Sequence, residues 1–312
     1  MNREVIAFTS EDAWKKARSV DITSTTVSAL FGLSPYLTKF ELFHRLRGGL
    51  QVADEPNERT RWGKLLQDAI AQGVSEEREW TIRPMREYIR LSEQRIGASF
   101  DFRIVNGETD FDTFIGDESD REDYVLEVKN VDGLEFKRGW IETDYGLEAP
   151  AHIEIQVMHQ LLVSGLTRCF IAALVGGNRV ALLERVFDQA VGDAILAACA
   201  AFWRDPEPEP DFRQDAKTIG LLYGYSEPGK VVTADGELAS LFRQYAGYKA
   251  VAREADKNAE ACKAEILTLI GDAERVEGDT WFALTKTQAP TVVETYTRKA
   301  SRPMRFYERS EK

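Results

Sequence analysis

Residues 124–129, Tyr-Val-Leu-Glu-Val-Lys, constrain this chain more than any other stretch. They have the apolar, β-branched composition of a strand and carry an acid and a lysine two positions apart. In an extended chain, residues two apart share a face, so Tyr124, Leu126 and Val128 point one way and Val125, Glu127 and Lys129 the other. A core strand seldom carries two charges on one face, because a buried unpaired charge is costly. Either the strand lies at an edge and carries a surface ion pair, or both charges belong to a site. Upstream, Asp101 follows a short Ala-Ser turn in the segment Ala-Ser-Phe-Asp. Two carboxylates and an ammonium are what a hard divalent cation and a phosphate require, since carboxylate oxygens hold Mg²⁺ and the lysine charge can face the attacking water. On that reading Asp101 and Glu127 are metal carboxylates, the Val128 carbonyl is a third protein ligand and Lys129 stands beside the water. On the bland reading Asp101 turns a strand and Glu127 and Lys129 form a surface pair.

The net charge of -12 means that bulk electrostatics repel a polyanion. Nucleic acid would need a local basic surface or a metal ion that inverts the local potential. Arg18, Arg59, Arg61, Lys64, Lys137 and Arg138 are the candidate phosphate contacts, and solvated surface charge explains any one of them equally well. The three cysteines, Cys169, Cys199 and Cys262, are too dispersed for a disulfide framework or a zinc knuckle. Together with the lack of a signal-like apolar start and of any apolar run of about twenty residues, this makes the cytoplasm, with no membrane association, the expected setting. No phosphate-cradling Gly-x-x-x-x-Gly-Lys-(Ser/Thr) or Gly-x-Ser-x-Gly is present, which argues against ATPase, kinase, dehydrogenase and serine hydrolase chemistry. His152 and His159 lie seven residues apart on an expected helix, about 10 Å along its axis, too far to chelate one zinc ion.

The pattern predicts helices from Glu11 to near Val20, after Ser24 to Gly32, from Lys39 to Leu50 and from Glu58 to Gly73. The last is expected to bury Trp62, Leu65, Leu66, Ala69 and Ile70. Strands follow, with Pro84 arguing for an edge position and Asn106-Gly107 for a hairpin turn. Residues 116–123 read as an acidic loop and residues 133–150 as an irregular connection. A helix after Pro150, two strands joined by Gly-Gly-Asn and a long helix to about Trp203 complete a mixed α/β pattern. The expected division is a mixed α/β domain over 1–205, a Pro-rich connector over 206–235 and a long helix or helical hairpin with terminal strands over 236–312. From Leu238 to Ala259 small and apolar residues recur every three or four positions, as in a helix packed on a neighbour.

Several of these pieces occur in the order seen in one family. Trp14, Arg18 and Asp-Ile-Thr-Ser-Thr-Thr, then Arg-Trp-Gly-Lys-Leu-Leu-Gln, Ala-Ser-Phe-Asp, Leu-Glu-Val-Lys and the helix Ile-Glu-Ile-Gln-Val-Met-His-Gln resemble the YqaJ-like viral recombinases. These are relatives of the lambda-type alkaline exonuclease within the PD-(D/E)xK superfamily, and the resemblance covers roughly residues 10–200. It implies a restriction-endonuclease-like core, a mixed central sheet flanked by helices. It also implies a Mg²⁺-dependent exonuclease, with Mn²⁺ able to substitute, that digests the 5′ strand of linear double-stranded DNA and leaves 3′ overhangs for a single-strand annealing protein. The gene would be bacterial or phage-borne, and a homo-oligomer is a further expectation.

By the same resemblance Asp101, Glu127 and Lys129 match the catalytic residues and Gln156 the glutamine of the following helix. Arg18, Thr23 and Ser24 match the region that holds the DNA end. One departure stands out. Where the family has Gly-x-x-x-Glu, this chain has Gly63 and Gln67, which can ligate a metal through its carbonyl but brings no charge. That leaves open a weakened, DNA-binding scaffold protein, and an endonuclease is the other alternative.

Overall fold

The computed structural model describes residues 2–50, 57–105, 123–144 and 146–287. It divides into two compact units, Met1–Ile219 and Gly220–Lys312. The Asn106-Gly107 turn and almost all of the acidic loop lie outside the described residues.

The first unit is built on a bent two-stranded ribbon. β3 (Thr81–Pro84) runs on into β4 (Glu87–Leu91), and β5 (Ile96–Ser99) runs on into β6 (Phe102–Val105). β4 pairs with β5 and β3 with β6, all antiparallel, and the ribbon bends where the Met85 N–H donates to the Asp101 carbonyl. Each half of the ribbon enters a different sheet. β4 and β5 sit inside a four-stranded sheet of order β1-β4-β5-β2, with β1 at Glu4–Ala7 and β2 at Ile22–Thr23. β6 and β3 close a five-stranded sheet of order β11-β10-β7-β6-β3, in which β7 is Tyr124–Val131, β10 Arg168–Val175 and β11 Arg179–Val186. Pro84 therefore stands on an edge strand, where its missing N–H breaks no interior ladder.

β7 and β10 pair in parallel, which requires a crossover, and the chain supplies α5 (Ala151–Ser164). Ten of the fourteen residues of α5, among them every residue from Ile155 to Val163, are buried, so this helix runs through the core. It packs with α6 (Gln189–Arg204), with β4 and β5 of the four-stranded sheet, with β10 and with the turn at Val27–Phe31. Cys169 and Cys199 are buried members of that core.

Four local readings are corrected. The segment after Ser24 is a 3₁₀ turn, Val27–Phe31, entered at Thr26 without a side-chain cap and closed by Gly32 at φ 67°. The helix after Asn57, α3, runs to Arg78, and its buried face is Ile70, Ala71 and Val74. Trp62 and Leu65 are 49% and 57% exposed, because the first turns of α3 make no contact with the small cluster on which its later turns pack. Residues 133–148 are not irregular: they form α4 (Gly133–Gly139) and a hairpin of β8 (Ile141–Thr143) with β9 (Gly146–Glu148). Asp132 caps α4 by accepting from the N–H groups of Leu134 and Glu135.

The segment after Arg204 begins without regular structure, as its prolines dictate, yet it is tied down. Arg47 donates to the carbonyls of Phe202 and Asp205, and buried Asp215 accepts from the Thr38 hydroxyl at 2.5 Å. A short helix, α7 (Ala216–Leu222), follows.

In the second unit α8 is one helix of 35 residues, Gly236–Ile270, capped by Asp235. None of its residues is buried. A small hairpin follows, β12 (Arg275–Glu277) with β13 (Phe282–Leu284).

Candidate active site

Strand geometry explains why Asp101 and Glu127 meet. β6 and β7 pair at Phe102 with Leu126, and one step further β6 has already turned into the other sheet. Val128 thus has no strand partner on that edge, and its N–H is taken by the Asp101 carboxylate, Oδ2, at 2.8 Å. In a strand a residue's N–H and C=O leave on the same edge. The Val128 carbonyl therefore emerges on the side of Asp101.

The Glu127 side chain rises from the face of β7 that α5 covers and is only 4% exposed. Its charge is met by three donors. Lys129 Nζ reaches Oε1 at 2.6 Å, Gln156 Nε2 reaches the same oxygen at 2.6 Å, and Gln160 Nε2 reaches Oε2 at 2.8 Å. Lys129 also donates to the Gln156 amide oxygen at 3.3 Å. Charge-assisted bonds of this kind hold a carboxylate far more firmly than neutral ones. Gln156 and Gln160 stand one turn apart on α5, so one helical face presents both amides to one carboxylate.

Burial first, and the negative charge of Glu127 second, push the Asp101 carboxyl up to about 7, against opposing pulls from Lys129, the Val128 N–H and a hydrogen bond from Gln67. Two carboxylates thus share a pocket too poor in positive charge to ionise both comfortably. Burial disfavours the Lys129 ammonium, yet Glu127 and Asp101 outweigh it and hold its pKa above the ordinary lysine value. Lys129 is a fixed cation here.

A hard divalent cation fits this donor set. Asp101 and Glu127 offer carboxylate oxygens, Val128 a carbonyl and Gln67 an amide, and an added positive charge would favour the ionised form of Asp101 against burial and the neighbouring Glu127. Among the described residues no cluster of three or more His, Cys, Asp or Glu forms a closed cage. Two carboxylates with water and phosphate completing the shell is the Mg²⁺ pattern. Asp68, Glu58 and Glu76 do not stand in for the absent acid at Gln67 through any bond in the structure: Glu58 accepts from Trp62 and Arg61, and Glu76 from Gln72.

The N-terminal candidates connect to the site through Ser99, two residues before Asp101. Trp14 Nε1 donates to the Ser99 hydroxyl at 2.7 Å, and Gln160 donates to the Ser99 carbonyl at 3.1 Å. Arg18 lies over the Trp14 ring at 4.3 Å and donates to the Thr25 hydroxyl at 3.0 Å. Thr23 and Ser24 are buried, and Thr23 bonds the hydroxyls of Thr25 and Thr26. The outward hydroxyl of this cluster is that of Thr25, which sequence reasoning missed. Beneath it, buried Asp21 is fixed by the Tyr88 hydroxyl and by Arg90 at 2.6 Å.

The other basic candidates are spread out. Lys64 pairs with Glu11 at 3.2 Å, Arg61 with Glu58 and Arg138 with Glu135. The Asp132 carboxyl is held below its ordinary value first by the N–H groups of Leu134 and Glu135, with smaller contributions from the charges of Arg59 and Arg138. Lys137 is exposed on α4. Gln160 was also missed. Its signal was a second amide four residues after Gln156, on the same face of a largely apolar helix. His159 is fully buried and bonds the Gly97 carbonyl, and burial pushes its pKa down to about 4, so it serves packing as a neutral ring. His152 packs its edge against Tyr36.

An acid-acid-lysine pocket thus lies where the ribbon passes between the two sheets, and a core helix completes it. Residues 13–167 match the family model of the YqaJ-like viral recombinase domain, so this stretch of the chain is a domain of that family. The family implies a nuclease acting on DNA. The uncharacterized protein YqaJ of Bacillus subtilis (strain 168) is 26% identical over 282 residues, covering 87% of this chain and 82% of its own. Among solved structures, the alkaline exonuclease LHK-Exo from Laribacter hongkongensis aligns with 16% identity and a TM-score of 0.46, over 67% of this chain and 99% of its own. The same exonuclease in complex with dAMP aligns with 15% identity and a TM-score of 0.45.

Proposed function

We propose that the protein is a metal-dependent exonuclease that digests the 5′ strand of linear double-stranded DNA and leaves a 3′ overhang for a single-strand annealing protein. The observation that carries this reading is the convergence of Asp101, Glu127 and Lys129 with Gln156 and Gln160 at the point where the ribbon passes between sheets.

When bound by Asp101, Glu127 and the Val128 carbonyl, Mg²⁺ or Mn²⁺ would supply Lewis-acid stabilisation of the charge that develops on the phosphodiester. Lys129, held cationic by its two acids, orients a water for attack and faces the same developing charge. Gln156 and Gln160 keep both oxygens of Glu127 in place, so the carboxylate need not reorganise during the reaction. Arg18 and Thr25, linked to Glu127 through Trp14, Ser99 and Gln160, would hold a terminal phosphate, which supports action at ends. Arg59, Arg61, Lys64, Lys137 and Arg138 supply the weaker, dispersed attraction for the duplex backbone.

The substitution of Gln67 for an acid favours a second reading, a site that binds metal weakly and uses its fold mainly to hold DNA. End-labelled linear duplex and closed circular DNA, incubated with Mg²⁺ or Mn²⁺ and with wild type, Glu127→Ala and Gln67→Glu, separate the possibilities. Exonuclease action gives progressive loss from 5′ ends, spares circles and disappears in Glu127→Ala. Cut circles indicate an endonuclease. DNA retention without strand loss in wild type, with hydrolysis gained in Gln67→Glu, indicates the weakened site.

A further inference from the structure

The second unit presents a feature that the site does not use. From Leu238 to Leu269, residues spaced alternately three and four apart are all apolar or small, which is a seam of period 3.5 sustained through five heptads. The seam lies on α8, about 52 Å long, and it is open: Leu241, Tyr248, Ile266 and Leu269 are 54%, 73%, 51% and 80% exposed. A regular seam of this length matches another straight helix better than a globular surface. We propose that α8 pairs with α8 of a second copy of this chain in an antiparallel coiled coil centred between Arg253 and Glu254.

Side-chain volume sets the direction. In a parallel pair each seam residue meets its own copy, so two Tyr-Tyr layers would sit directly beside three Ala-Ala layers and force the helices to part and close abruptly. In the antiparallel pair Tyr245 meets Cys262 of the second copy, and Tyr248 meets its Ala259. Ala252 meets Ala255 at the centre, while Leu238 with Leu269 and Leu241 with Ile266 close the ends. The tyrosines, the bulkiest seam residues, then face small ones, so no Tyr-Tyr layer adjoins an Ala-Ala layer.

Charge fixes the register. Flanking the seam, Lys249 comes level with Asp256 of the second copy, and the two-fold axis repeats the pair. The parallel arrangement sets Lys249 beside Gln244 and Asp256 beside Val251, with no ion pair. Sliding the antiparallel pair by one heptad brings Lys249 against its own copy in one direction and Asp256 against its own copy in the other. It also leaves seam layers unpaired at both ends. The ten seam side chains, two of them tyrosines of roughly 150–250 Å² each, offer on the order of 800 Å² per helix, the size of one side of a standard specific interface.

Cys262 is exposed while Cys169 and Cys199 are buried, so disulfide trapping of the full-length chain reads the register directly. Under mild oxidant, Tyr245→Cys should form a covalent dimer through Cys262 of the second copy, and the Tyr245→Cys, Cys262→Ser double variant should not. Crosslinking that persists in the double variant, or wild type joining through Cys262 alone, would overturn the antiparallel register. In sedimentation equilibrium the wild type should show a concentration-dependent dimer. Lys249→Glu should weaken it roughly tenfold, and adding Asp256→Lys should restore it. A wild-type chain monomeric across the micromolar range, or a double charge reversal that fails to restore pairing, would sink the proposal.

Discussion

The pocket around Glu127 and the seam of α8 invert each other. In the first unit four polar side chains are drawn into the interior, where Glu127, Gln156 and Gln160 are 4%, 7% and 1% exposed. In the second, tyrosines, leucines and an isoleucine are turned toward water. Burying charge is costly, so the first region is tolerable only because each carboxylate oxygen is met by a donor within the same chain. Exposing a continuous apolar stripe is also costly, and a single copy offers no covering partner for it among the described residues. One region completes itself and the other calls for a neighbour. The contrast teaches that function at the first should respond to single substitutions within a protomer, and function at the second to protein concentration.

The sharpest way to break this contrast is Glu127→Gln. It keeps the volume but removes the charge that Lys129, Gln156 and Gln160 converge upon, and strand loss from linear DNA should fall on the order of 10³-fold, measured at saturating Mg²⁺. Normal rates would show that the buried acid is merely structural. Gln160→Leu should have a smaller effect, about 10- to 100-fold, expressed mainly as a raised Mg²⁺ requirement, because it loosens Glu127 without touching substrate. A fall in turnover with an unchanged metal titration would remove its positioning role.

The next test uses acidity. The Asp101 carboxyl binds its proton more tightly in the folded chain, at about 7, than at its ordinary value of 3.8. Between those values the native state holds more protons than the unfolded one, so metal-free stability falls as pH rises through this window and levels off above about 7. Asp101→Asn should flatten that decline and unfold later than wild type at pH above the window in thermal melts with chelator. A wild-type melting temperature that rises across the same window would contradict the assignment. The smallest effect belongs to α8: Lys263→Ala removes an exposed ion pair with Glu260 and should cost about 0.5 kcal/mol or less, read by urea unfolding.

Much of the site was legible because its chemistry depends on local periodicity. Glu127 and Lys129 share a face in any strand, and Asp101 needed only a turn before it. Gln160 and Thr25 were not, since Gln160 and Trp14 meet only at Ser99 and Thr25 is tied in through Arg18 over the Trp14 ring, juxtapositions with no local trace. The helix α4 had a signal that went unread, Asp132 followed three positions later by Glu135, the pattern of a capped N-terminus. On α3 the stripe was placed too early. Trp62 and Leu65 have the right spacing, but burial depends on where the neighbouring sheet lies, and periodicity is silent about that. The unbroken period of α8 was visible throughout, whereas its lack of cover could only be seen in three dimensions.

The bent ribbon carries a consequence for how such a pocket can vary. Asp101 reaches Val128 because the chain returning from Ser92–Arg95 has advanced a fixed number of steps along β5 before the bend. Successive side chains alternate between faces, so one residue gained or lost in that distant loop, with the ladder re-registering to absorb it, would turn the carboxylate away from Val128 and put Phe100 or Phe102 in its place. The spacing of the loop acts as a ruler for the pocket, and length changes there are expected to silence it without altering a single residue of the pocket itself.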